Sequence, residues 1–495
     1  MNHRFLILAA LTTLLAAVAS FSLTAMDQAS PSKPNIIVIL ADDVGWGDAG
    51  CYGATQIKTP NIDRLASEGV RFVNGSASAA VCTPTRYSML TGQYAWRSRI
   101  PGVMNGVTNG LTPLVIPTDM ATAPKLLQKA GYRTAVIGKW HLGLGVTRPD
   151  YNGELKPGPL EIGFDEFFGI PATNDRIPTV FVRDHRVVGL DPADPIRVSY
   201  DKEEAIKLGL SSWSAGRDRI GWGRGGQSAW WKDADIAENH TAEVLKFLER
   251  NKENPFFLYF APHDVHSPKI AQTRFAGASG LGERADMLLG LDDAIGQVLQ
   301  KLDQLGLAKD TLIIYSSDNG AYVNNEQGHR PTGPFRGVKS TSWEGGTRVP
   351  FIVRWPSRIQ PGVSKDLVST LDVPATLCAA AGIPLPAGSL PDSYNMLPAL
   401  LGDQGVASRE HLILQCGSGH LSVRSSTWKF IPDLALADGW KSAKKDPKVP
   451  ARPGLYDLSA DPGETVNVFD QHPAVARRLA DVITQARATP VTRPQ

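Results

Sequence analysis

The stretch NIIVILADD, residues 35–43, is a run of apolar side chains that stops at two aspartates. A short segment that is apolar throughout, without polar alternation, is typical of a strand buried on both faces of a sheet. Three more segments combine an apolar run with polar residues after it: YRTAVIGKWH at 132–141, PFFLYFAPHDVH at 255–266 and TLIIYSSDNG at 311–320. The sequence therefore predicts a sheet that is covered on both sides.

Helical patterns separate these predicted strands. We expect helices at residues 60–69, 116–130, 232–250 and 283–305, and in the last of these leucine, isoleucine and valine recur at helical spacing. Alternating strands and helices predict an α/β fold with a large, mainly parallel sheet flanked by helices.

Polar side chains follow each predicted strand at the point where its apolar run ends. In open parallel sheets, ligands collect beyond the carboxyl ends of the strands. We therefore expect these side chains to meet at one edge of the sheet. They are Asp42, Asp43, Lys139, His141, His263, His266, Asp318 and Asn319.

The C-terminal part of the chain has a different pattern. Short strand-like segments such as HLILQC and HLSVRSSTWKFI are separated by turn residues, and a final helix is expected at 473–487. This pattern predicts a smaller α+β domain built on an antiparallel sheet. We expect residues 34–400 to form the large domain, which carries the polar side chains at the strand ends, and residues 405–495 to form the smaller one.

The first twenty residues, MNHRFLILAALTTLLAAVAS, have a short basic start and then an apolar run over residues 5–19. The run is short for a membrane span and ends in small residues, which indicates a cleaved signal peptide at residues 1–25. An uncleaved anchor is the alternative. No later segment is long and apolar enough to cross a membrane, so we expect export to the periplasm or the medium.

The composition excludes several classes of protein. The net charge is +2, and no block of lysine and arginine concentrates it, so a nucleic-acid partner is not expected. The four cysteines are scattered without C-x-x-C spacing. A zinc cluster or a disulfide scaffold is therefore not expected either.

One cysteine stands in a context of its own, in VCTPTRYSML at residues 81–90. Pro84 suits a first helical turn, which would place Cys82 at a helix N-terminus, where free N–H groups favour an anion. Arg86 lies four residues later on the same helix face and could hold residue 82 and offset its negative charge. The alternative is a buried structural thiol, the usual role of a lone cysteine.

Several segments together resemble those of one enzyme family. CTPTR at 82–86, followed by MLTG at 89–92, matches the C-x-P-x-R signature of the formylglycine-dependent (type I) sulfatases, arylsulfatase-like members of the alkaline-phosphatase superfamily. The resemblance covers nearly the whole chain after the predicted signal peptide. The other similar segments, in the family's order, are DDVGWGD at 42–48, GYRTAVIGKWHLG at 131–143, GFDEFFG at 163–169, SSDNG at 316–320 and KSTSWEGG at 339–346.

The resemblance implies that Cys82 is converted to formylglycine (3-oxoalanine), with a formylglycine-generating or sulfatase-maturating enzyme as a partner. A hydrated aldehyde has two hydroxyls on one carbon. One can attack sulfur, and the other can then lose a proton and expel sulfate as the aldehyde re-forms, so no second attack at sulfur is needed.

The same resemblance implies a metal site at Asp42, Asp43, Asp318 and Asn319, completed by residue 82. Carboxylate and amide ligands supply only oxygen, which favours Ca²⁺ or Mg²⁺ over zinc. The alternative is that the DD and DN pairs are turn formers at strand ends.

By family match, Lys139, His141 and Lys339 surround the sulfate. If the strand continues through residue 141, Lys139 and His141 point to one face. His266 is expected to be the general acid that protonates the leaving alcohol, with His263 as the second candidate or as a substrate contact.

Two further stretches resemble those of carbohydrate sulfatases that act on galactose or N-acetylgalactosamine sulfates. ATNDRIP at 172–178 carries Asn174 and Arg176, and GHRPTGPFRG at 328–337 carries His329. We expect these side chains to contact the sugar, and loop packing is the alternative. Four tryptophans follow the first stretch and could either stack on a sugar or pack the loop onto the body of the protein: Trp213, Trp222, Trp230 and Trp231.

The sequence thus predicts a sulfuric ester hydrolase that acts on a sulfated carbohydrate. Two alternatives remain open at this point. One is a phosphodiesterase or phosphonate monoester hydrolase of the same superfamily, and the other is a non-catalytic, exported glycan-binding protein with an unmodified Cys82.

Overall fold

The computed structural model of the chain describes residues 33–212, 218–403, 409–442 and 451–494. The predicted signal peptide at residues 1–25 lies outside the described residues. Within the described ranges, no helix has both the length and the apolar character needed to span a lipid bilayer.

The strands are short, and most are buried. In chain order they are β1 (Asn35–Ala41), β2 (Val70–Ser76), β3 (Arg133–Lys139), β4 (Glu166–Ile170), β5 (Val182–Arg183), β6 (Arg186–Val187), β7 (Arg197–Ser199), β8 (Ser211–Ser212), β9 (Trp222–Arg224), β10 (Phe256–Ala261), β11 (Thr311–Ser317), β12 (Phe351–Arg354), β13 (Gly362–Ser369), β14 (His411–Gln415), β15 (Leu421–Ser425), β16 (Trp428–Ile431) and β17 (Gly454–Asp457).

The α-helices vary in length from one turn to six. In chain order they are α1 (Pro60–Ser67), α2 (Cys82–Thr91), α3 (Ala123–Lys129), α4 (Lys202–Lys207), α5 (Ile236–Arg250), α6 (Glu283–Gln304), α7 (Glu344–Thr347), α8 (Val373–Ala380), α9 (Leu397–Leu400) and α10 (Pro473–Ala488).

The four apolar segments of the sequence form neighbouring strands of one ten-stranded sheet. Its order is β13-β2-β12-β11-β1-β10-β3-β4-β5-β6. The strands from β11 to β4 run parallel to one another, with Ile37 of β1 opposite Leu258 on one side and Ile313 on the other. Antiparallel pairs at both ends make the sheet mixed. The predicted α/β fold is confirmed.

Successive residues of β1 belong to the cores on opposite faces of the sheet. Ile36 and Val38 pack into one core, and Ile37 and Ile39 pack into the other. Side chains of α2, α3 and α8 contribute to the first core, and those of α5 and α6 contribute to the second. This two-sided burial is the reason that β1 is apolar at every position.

One predicted helix begins later than expected. Residues 116–130 were expected to be helical, but α3 begins at Ala123. The side-chain oxygen of Thr122 accepts a hydrogen bond from the Lys125 backbone N–H, and Pro124 occupies the first turn, so the helix is capped at that point. The prediction was wrong for residues 116–122.

A second sheet lies in the C-terminal part of the chain. Strands β14, β15, β16 and β17 pair in that order, each antiparallel to the next. Helix α10 packs against this sheet through Leu479 and Ile483, which meet Val423, Phe430 and Leu455. The antiparallel sheet was predicted correctly, and the domain boundary between residues 400 and 405 remains a prediction.

Candidate active site

The carboxyl ends of β1 and β11 place four polar side chains next to one another. The last residues of these two strands pair with each other, so Asp42 and Asp43 lie beside Asp318 and Asn319. The Asn319 side-chain amide donates to Asp43 Oδ1 at 2.7 Å. Asp43 has a φ of 60°, a left-handed conformation that aspartate adopts more readily than most residues, and the chain turns there.

Cys82 comes to the same place from another element. It is the first residue of α2 and is 1% exposed, and its Sγ lies 3.9 Å from Asp42 Oδ1. One ligand atom from each of Asp42, Asp43, Cys82 and Asp318 lies within 4.8 Å of the others. We call these four residues together with Asn319 the Cys82 cluster.

The environment of the Cys82 thiol disfavours its ionised form. Burial, together with the negative charge of Asp318, raises the pKa of Cys82 to about 11. The thiolate is the nucleophilic form of cysteine, so an unmodified Cys82 would be a poor nucleophile at neutral pH.

Two lysines offset the carboxylates of the cluster. Lys139 Nζ donates to Asp42 Oδ2 at 2.6 Å, and Lys339 Nζ donates to Asp43 Oδ1 at the same distance. Both ammonium groups are buried, so their charges act with little screening by water. Both lysines thus lie at the cluster, where the family resemblance implies that the sulfate binds.

Arg86 is also buried at the cluster, but its contacts differ from those expected. Its Nε and Nη2 donate to Asp318 Oδ2 at 3.0 and 2.7 Å, and its Nη1 donates to Tyr259 Oη. No hydrogen bond joins its guanidinium to Cys82 among the described contacts. Arg86 therefore orients a carboxylate of the cluster and does not hold residue 82 directly.

The electrostatics of the carboxylates are uneven. Burial and the neighbouring Asp318 raise the pKa of Asp42 to about 7. Burial also acts to raise the pKa of Asp43, but the charges of Lys339, His266 and Lys139 together with the Lys339 hydrogen bond outweigh it and hold that pKa below its usual range. The protein thus concentrates carboxylates where at least one of them is disfavoured as an anion, an arrangement that a bound cation would stabilise.

The donor set of the cluster fits a hard divalent cation. Its carboxylates and amide supply oxygen, the ligand atom that Ca²⁺ and Mg²⁺ prefer. Asn319 Oδ1 is buried and has no hydrogen-bond partner, although its amide nitrogen donates to Asp43 and to the Gly320 carbonyl. A buried acceptor without a partner is costly, and a cation at the cluster would satisfy it.

His141 reaches the site by a route other than strand alternation. Alternation would have placed His141 beside Lys139 only if the strand continued, but β3 ends at Lys139 and His141 has a φ of 57°. His141 Nε2 donates to the Thr108 carbonyl at 3.0 Å, and Thr83 Oγ1 donates to the His141 carbonyl at 3.1 Å. The position of the imidazole is therefore fixed by hydrogen bonds of the loop and not by the alternation of side chains along a strand.

The remaining ring nitrogen of His141 is unpartnered. Its Nδ1 is buried without a hydrogen-bond partner, and burial and the charge of Lys139 keep the pKa of His141 well below its usual value. The ring is therefore neutral with Nδ1 as an acceptor. Such an acceptor fits a hydroxyl on residue 82, the donor that a hydrated aldehyde would supply.

The structure separates the two candidate acids. His266 faces the cavity above Cys82, whereas His263 is not among the residues that line it. The His263 ring instead lies against the His240 ring at a centroid distance of 6.1 Å. Of the two, only His266 is placed to meet a substrate in this cavity.

His266 is oriented by two acceptors on one side of its ring. Its Nδ1 lies 3.1 Å from Asn174 Oδ1 and 2.6 Å from the Ser267 carbonyl oxygen. Because both neighbours accept, Nδ1 carries the hydrogen and Nε2 remains for the substrate. Burial and the charge of Lys339 lower the pKa of His266 to about 4, so the resting ring is neutral at pH 7.

The cavity above the cluster has a volume of about 300 Å³. Its buried part is polar and charged, and its outer part includes exposed apolar side chains. The lining residues are Asp43, Cys82, Val107, His141, Asp175, Arg176, Ile220, His266, Ser267, Tyr322, Lys339 and Trp440.

The three predicted sugar contacts have different positions. Arg176 lines the cavity and donates to Asp175 Oδ1 at 3.0 Å. Asn174 does not line it, since its side chain bonds to His266 and to the carbonyls of His266 and Pro268. His329 lies elsewhere, with its Nε2 2.8 Å from Asp48 Oδ1. His329 therefore pairs with the buried Asp48 carboxylate and does not line the cavity above Cys82.

For the tryptophans after the first stretch, the structure favours loop packing over sugar stacking. Trp213 lies outside the described residues, and Trp222, Trp230 and Trp231 do not line the cavity. Trp231 is buried and donates to Asp233. The tryptophan that lines the cavity is Trp440, from the C-terminal part of the chain, and no sequence motif pointed to it.

Comparisons with known proteins give one consistent result. The model of the sulfatase family matches residues 34–383. An N-acetylgalactosamine-6-O-sulfatase of Bacteroides thetaiotaomicron is 44% identical over 483 residues, covering 92% of this chain and 93% of the relative. Human arylsulfatase A is 35% identical over 453 residues, covering 88% and 83%.

A solved structure from work on glycosaminoglycan metabolism by Bacteroides thetaiotaomicron has the same architecture. It superposes with a TM-score of 0.84 at 44% identity, covering 92% of this chain and 100% of that chain.

Proposed function

The chain belongs to the sulfatase family, and we propose that it releases inorganic sulfate from a sulfated carbohydrate of the galactose or N-acetylgalactosamine class. The proposal for the sugar is supported by the 44% identity to an N-acetylgalactosamine-6-O-sulfatase over most of both chains. It is also supported by the position of Arg176 in the cavity wall.

One observation carries the proposed mechanism. The signature Cys82 lies within one group of carboxylates, at the buried end of a cavity that could admit a sugar ester. Five separate segments bring these side chains to this point: the ends of β1, β3 and β11, the start of α2 and the loop that carries Lys339. Helix α2 also directs its N-terminal N–H groups there, which favours an anion.

When bound, a formylglycine at residue 82 and a Ca²⁺ or Mg²⁺ ion would supply an activated hydroxyl and a Lewis acid for the sulfuryl oxygens. Asp42, Asp43, Asp318 and Asn319 would hold the ion. Lys139 and Lys339 contribute fixed positive charge where negative charge develops, and their position is already set by the carboxylates that they contact.

His266 would donate the proton to the leaving alcohol from Nε2. Its resting ring is neutral at pH 7, so it must first take up a proton, which the negative charge of a bound ester favours. Asn174 keeps Nδ1 occupied and so directs Nε2 towards the substrate. Asn174 is thus a positioning residue in this proposal and not a sugar contact.

The proposal includes the steps that prepare the enzyme. We infer from the apolar segment at residues 5–19 that the chain is exported, and from the CTPTR motif that a maturating enzyme oxidises Cys82. Expression with and without a maturating enzyme, followed by assay of equal amounts of protein, tests the second inference. Equal activity in both preparations would contradict it.

The substrate proposal is tested by a panel of sulfated sugars scored for free sulfate, with galactose and N-acetylgalactosamine 6-sulfates included. We expect release from at least one member of this class. A paired assay on an aryl sulfate and an aryl phosphodiester tests the reaction type. A large preference for the phosphodiester would contradict the assignment of sulfate esters as the natural substrates.

A further inference from the structure

The outer part of the Cys82 cavity is apolar, in contrast to its charged interior. Three of its lining residues are large hydrophobic side chains that are strongly exposed: Ile220 at 46%, Tyr322 at 55% and Trp440 at 48%. Exposed apolar groups gathered at one cavity indicate a surface that a ligand covers. We call these three residues the apolar rim.

We propose that Trp440 is the sugar platform of this enzyme, on which the pyranose ring of the substrate stacks while its sulfate reaches the Cys82 cluster. This inference deepens the proposed function and rests on it. It gives the C-terminal part of the chain a direct share in substrate recognition, because Trp440 lies between β16 and β17 in sequence.

Trp440 is held in one orientation although half of its surface is exposed. Its indole N–H donates to the Gly417 carbonyl at 2.8 Å, and its backbone N–H donates to Ser340 Oγ at 2.9 Å. The N–H edge of the ring is therefore anchored to the protein. A ring that is already fixed loses little conformational entropy when a ligand stacks on it.

Two glycines make this anchoring possible. A Cβ on Gly417 would lie 2.4 Å from Ser340 Oγ and 2.9 Å from the indole nitrogen of Trp440. Gly439 has a φ of 59°, and a Cβ there would lie 2.0 Å from the Ser340 carbonyl oxygen. Side chains at either position would push Trp440 away from Ser340.

Ser340 connects the platform to the catalytic residues. It follows Lys339 in the chain, and its backbone N–H donates to the Ala80 carbonyl at 2.7 Å, two residues before Cys82. Its carbonyl oxygen accepts from the Gly417 N–H at 2.8 Å. Through these bonds, the position of the indole is fixed relative to both Cys82 and Lys339.

The chemistry of a galacto-configured sugar fits such a platform. Its axial O4 leaves the hydrogens of C3, C4 and C5 on one face, which gives that face apolar character. An aromatic ring attracts this face through area burial and through its negative π-surface. The hydroxyls on the opposite side are then free to meet Asp175 and Arg176, the polar groups of the cavity wall.

The test compares sugar binding with sulfate binding in the same variants. N-acetylgalactosamine 6-sulfate serves as substrate and inorganic sulfate as competitive inhibitor, with the desulfated sugar detected by chromatography. Inorganic sulfate reports on the charged interior alone, whereas the KM of the sugar ester also reports on the rim.

We expect Trp440→Ala and Trp440→Leu to raise the KM of the sugar about tenfold, and Trp440→Phe to restore most of the loss, because stacking is worth on the order of one factor of ten. The inhibition constant of sulfate should not change in any of them. Trp230→Ala is the matched control, since Trp230 also donates its indole N–H to a backbone carbonyl but lies outside the cavity.

Two results would overturn the inference. One is an unchanged sugar KM in both the alanine and leucine variants. The other is a rise in the sulfate inhibition constant that parallels the rise in KM, which would indicate a displaced Lys339. Failure of the wild-type enzyme to desulfate any sugar of the panel would instead overturn the proposed function. The leucine variant retains apolar volume. Its KM can therefore still be measured if the alanine variant does not fold.

Discussion

Two groups of buried residues in this protein both contain carboxylates, but one lies at the proposed reaction site and the other stabilises the fold. The first is the Cys82 cluster. The second, which we call the Glu344 cluster, consists of Glu344, Arg348, Arg424, Lys429 and Glu464. Glu344 Oε2 accepts from Arg348 and Arg424 at 2.6 and 2.9 Å, and its Oε1 accepts from Lys429 at 3.1 Å.

The two clusters differ in what surrounds their carboxylates. The Glu344 cluster does not line the cavity above Cys82, and its cations outnumber its charged acids. Burial acts to raise the pKa of Glu344, but Arg424, Arg348 and Lys429 together outweigh it and hold that pKa far below its usual range. In the Cys82 cluster, by contrast, the pKa of Asp42 is raised.

The pKa shifts of Glu344 and Asp42 have opposite directions, although each cluster also holds carboxyl groups shifted the other way: Asp43 and Asp318 are lowered, and Glu464 is raised. A lowered carboxyl pKa means that the folded chain stabilises the anion, and a raised one means that the anion opposes folding. The Glu344 cluster thus joins α7 and the adjacent Arg348 to β15 and β16. In the Cys82 cluster, the disfavoured Asp42 anion lies beside a cavity, where a bound ligand can interact with it.

The largest effect that the comparison predicts is on turnover. Cys82→Ala should lower kcat by at least about 10³-fold, because it removes the nucleophile and a metal ligand. Its thermal unfolding should remain close to that of the wild type, since the lost side chain is small. Steady-state kinetics and a melting curve measure both.

Cys378→Ala is the matched control for that variant. Cys378 is also fully buried but packs among Leu126 and Leu390, far in sequence from the cluster. Its substitution should preserve kcat. A Cys82→Ala enzyme with substantial turnover would remove the distinction between the two clusters.

The next effect is on stability. Glu344→Gln should lower the free energy of unfolding by about 3–5 kcal/mol, because the three cations around residue 344 lose a buried counter-charge. Denaturant unfolding with an unchanged m-value measures this. The turnover of the variant that remains folded should be close to that of the wild type.

Asp42→Asn provides the matched comparison, measured after treatment with a chelator. Its free energy of unfolding should be unchanged or higher, since the Asp42 anion is disfavoured in the folded chain and Lys139 retains Asp318 at 3.7 Å. Its activity should be lost even in excess Ca²⁺. A large destabilisation of this variant would contradict the comparison.

A smaller effect concerns the proton donor. His266→Ala should lower kcat/KM about 10²-fold for a sugar sulfate, and less for an activated aryl sulfate whose leaving group needs little protonation. His263→Ala should show no such dependence on the leaving group. Equal losses on both esters in the His266 variant would count against the acid role.

The last effect is a pH dependence of stability in the Glu344 cluster. Burial and the charge of Glu344 raise the pKa of Glu464 to about 8, from an ordinary value of 4.5. Between these values the unfolded chain loses the proton and the folded chain keeps it. The stability due to this group is therefore complete below pH 4.5 and declines, by at most about 1.4 kcal/mol per pH unit, as the pH rises to 8.

Glu464→Gln should flatten this decline, because glutamine cannot ionise but retains an acceptor for the Glu344 backbone N–H. Unfolding measured from pH 5 to pH 8 in both proteins gives the difference directly. Parallel pH profiles for the wild type and the variant would show that Glu464 does not keep its proton.

The sequence was sufficient for the parts of the site that depend on strand ends. Asp42, Asp43, Asp318 and Asn319 follow apolar runs, and parallel strands bring such residues together whatever the loops do. The position of Cys82 followed from the turn chemistry of Pro84 in the first turn of its helix.

Residues that depend on loops or on distant contacts were harder to place. The position of His329 outside the cavity could not be predicted, because nothing in the sequence shows that Asp48, which belongs to the DDVGWGD segment, is its hydrogen-bond partner. His141 reaches the cavity through loop hydrogen bonds, which no periodicity reveals. Trp440 depends on Gly417 and Ser340, and these three residues come from separate segments with no common signature.

The most direct test of the account is the mass of the tryptic fragment that spans residues 72–86, taken from enzyme preparations of known specific activity. The account predicts that residue 82 carries an aldehyde and that activity rises in proportion to the converted fraction. Full sulfatase activity in protein whose Cys82 is an unmodified thiol would contradict it.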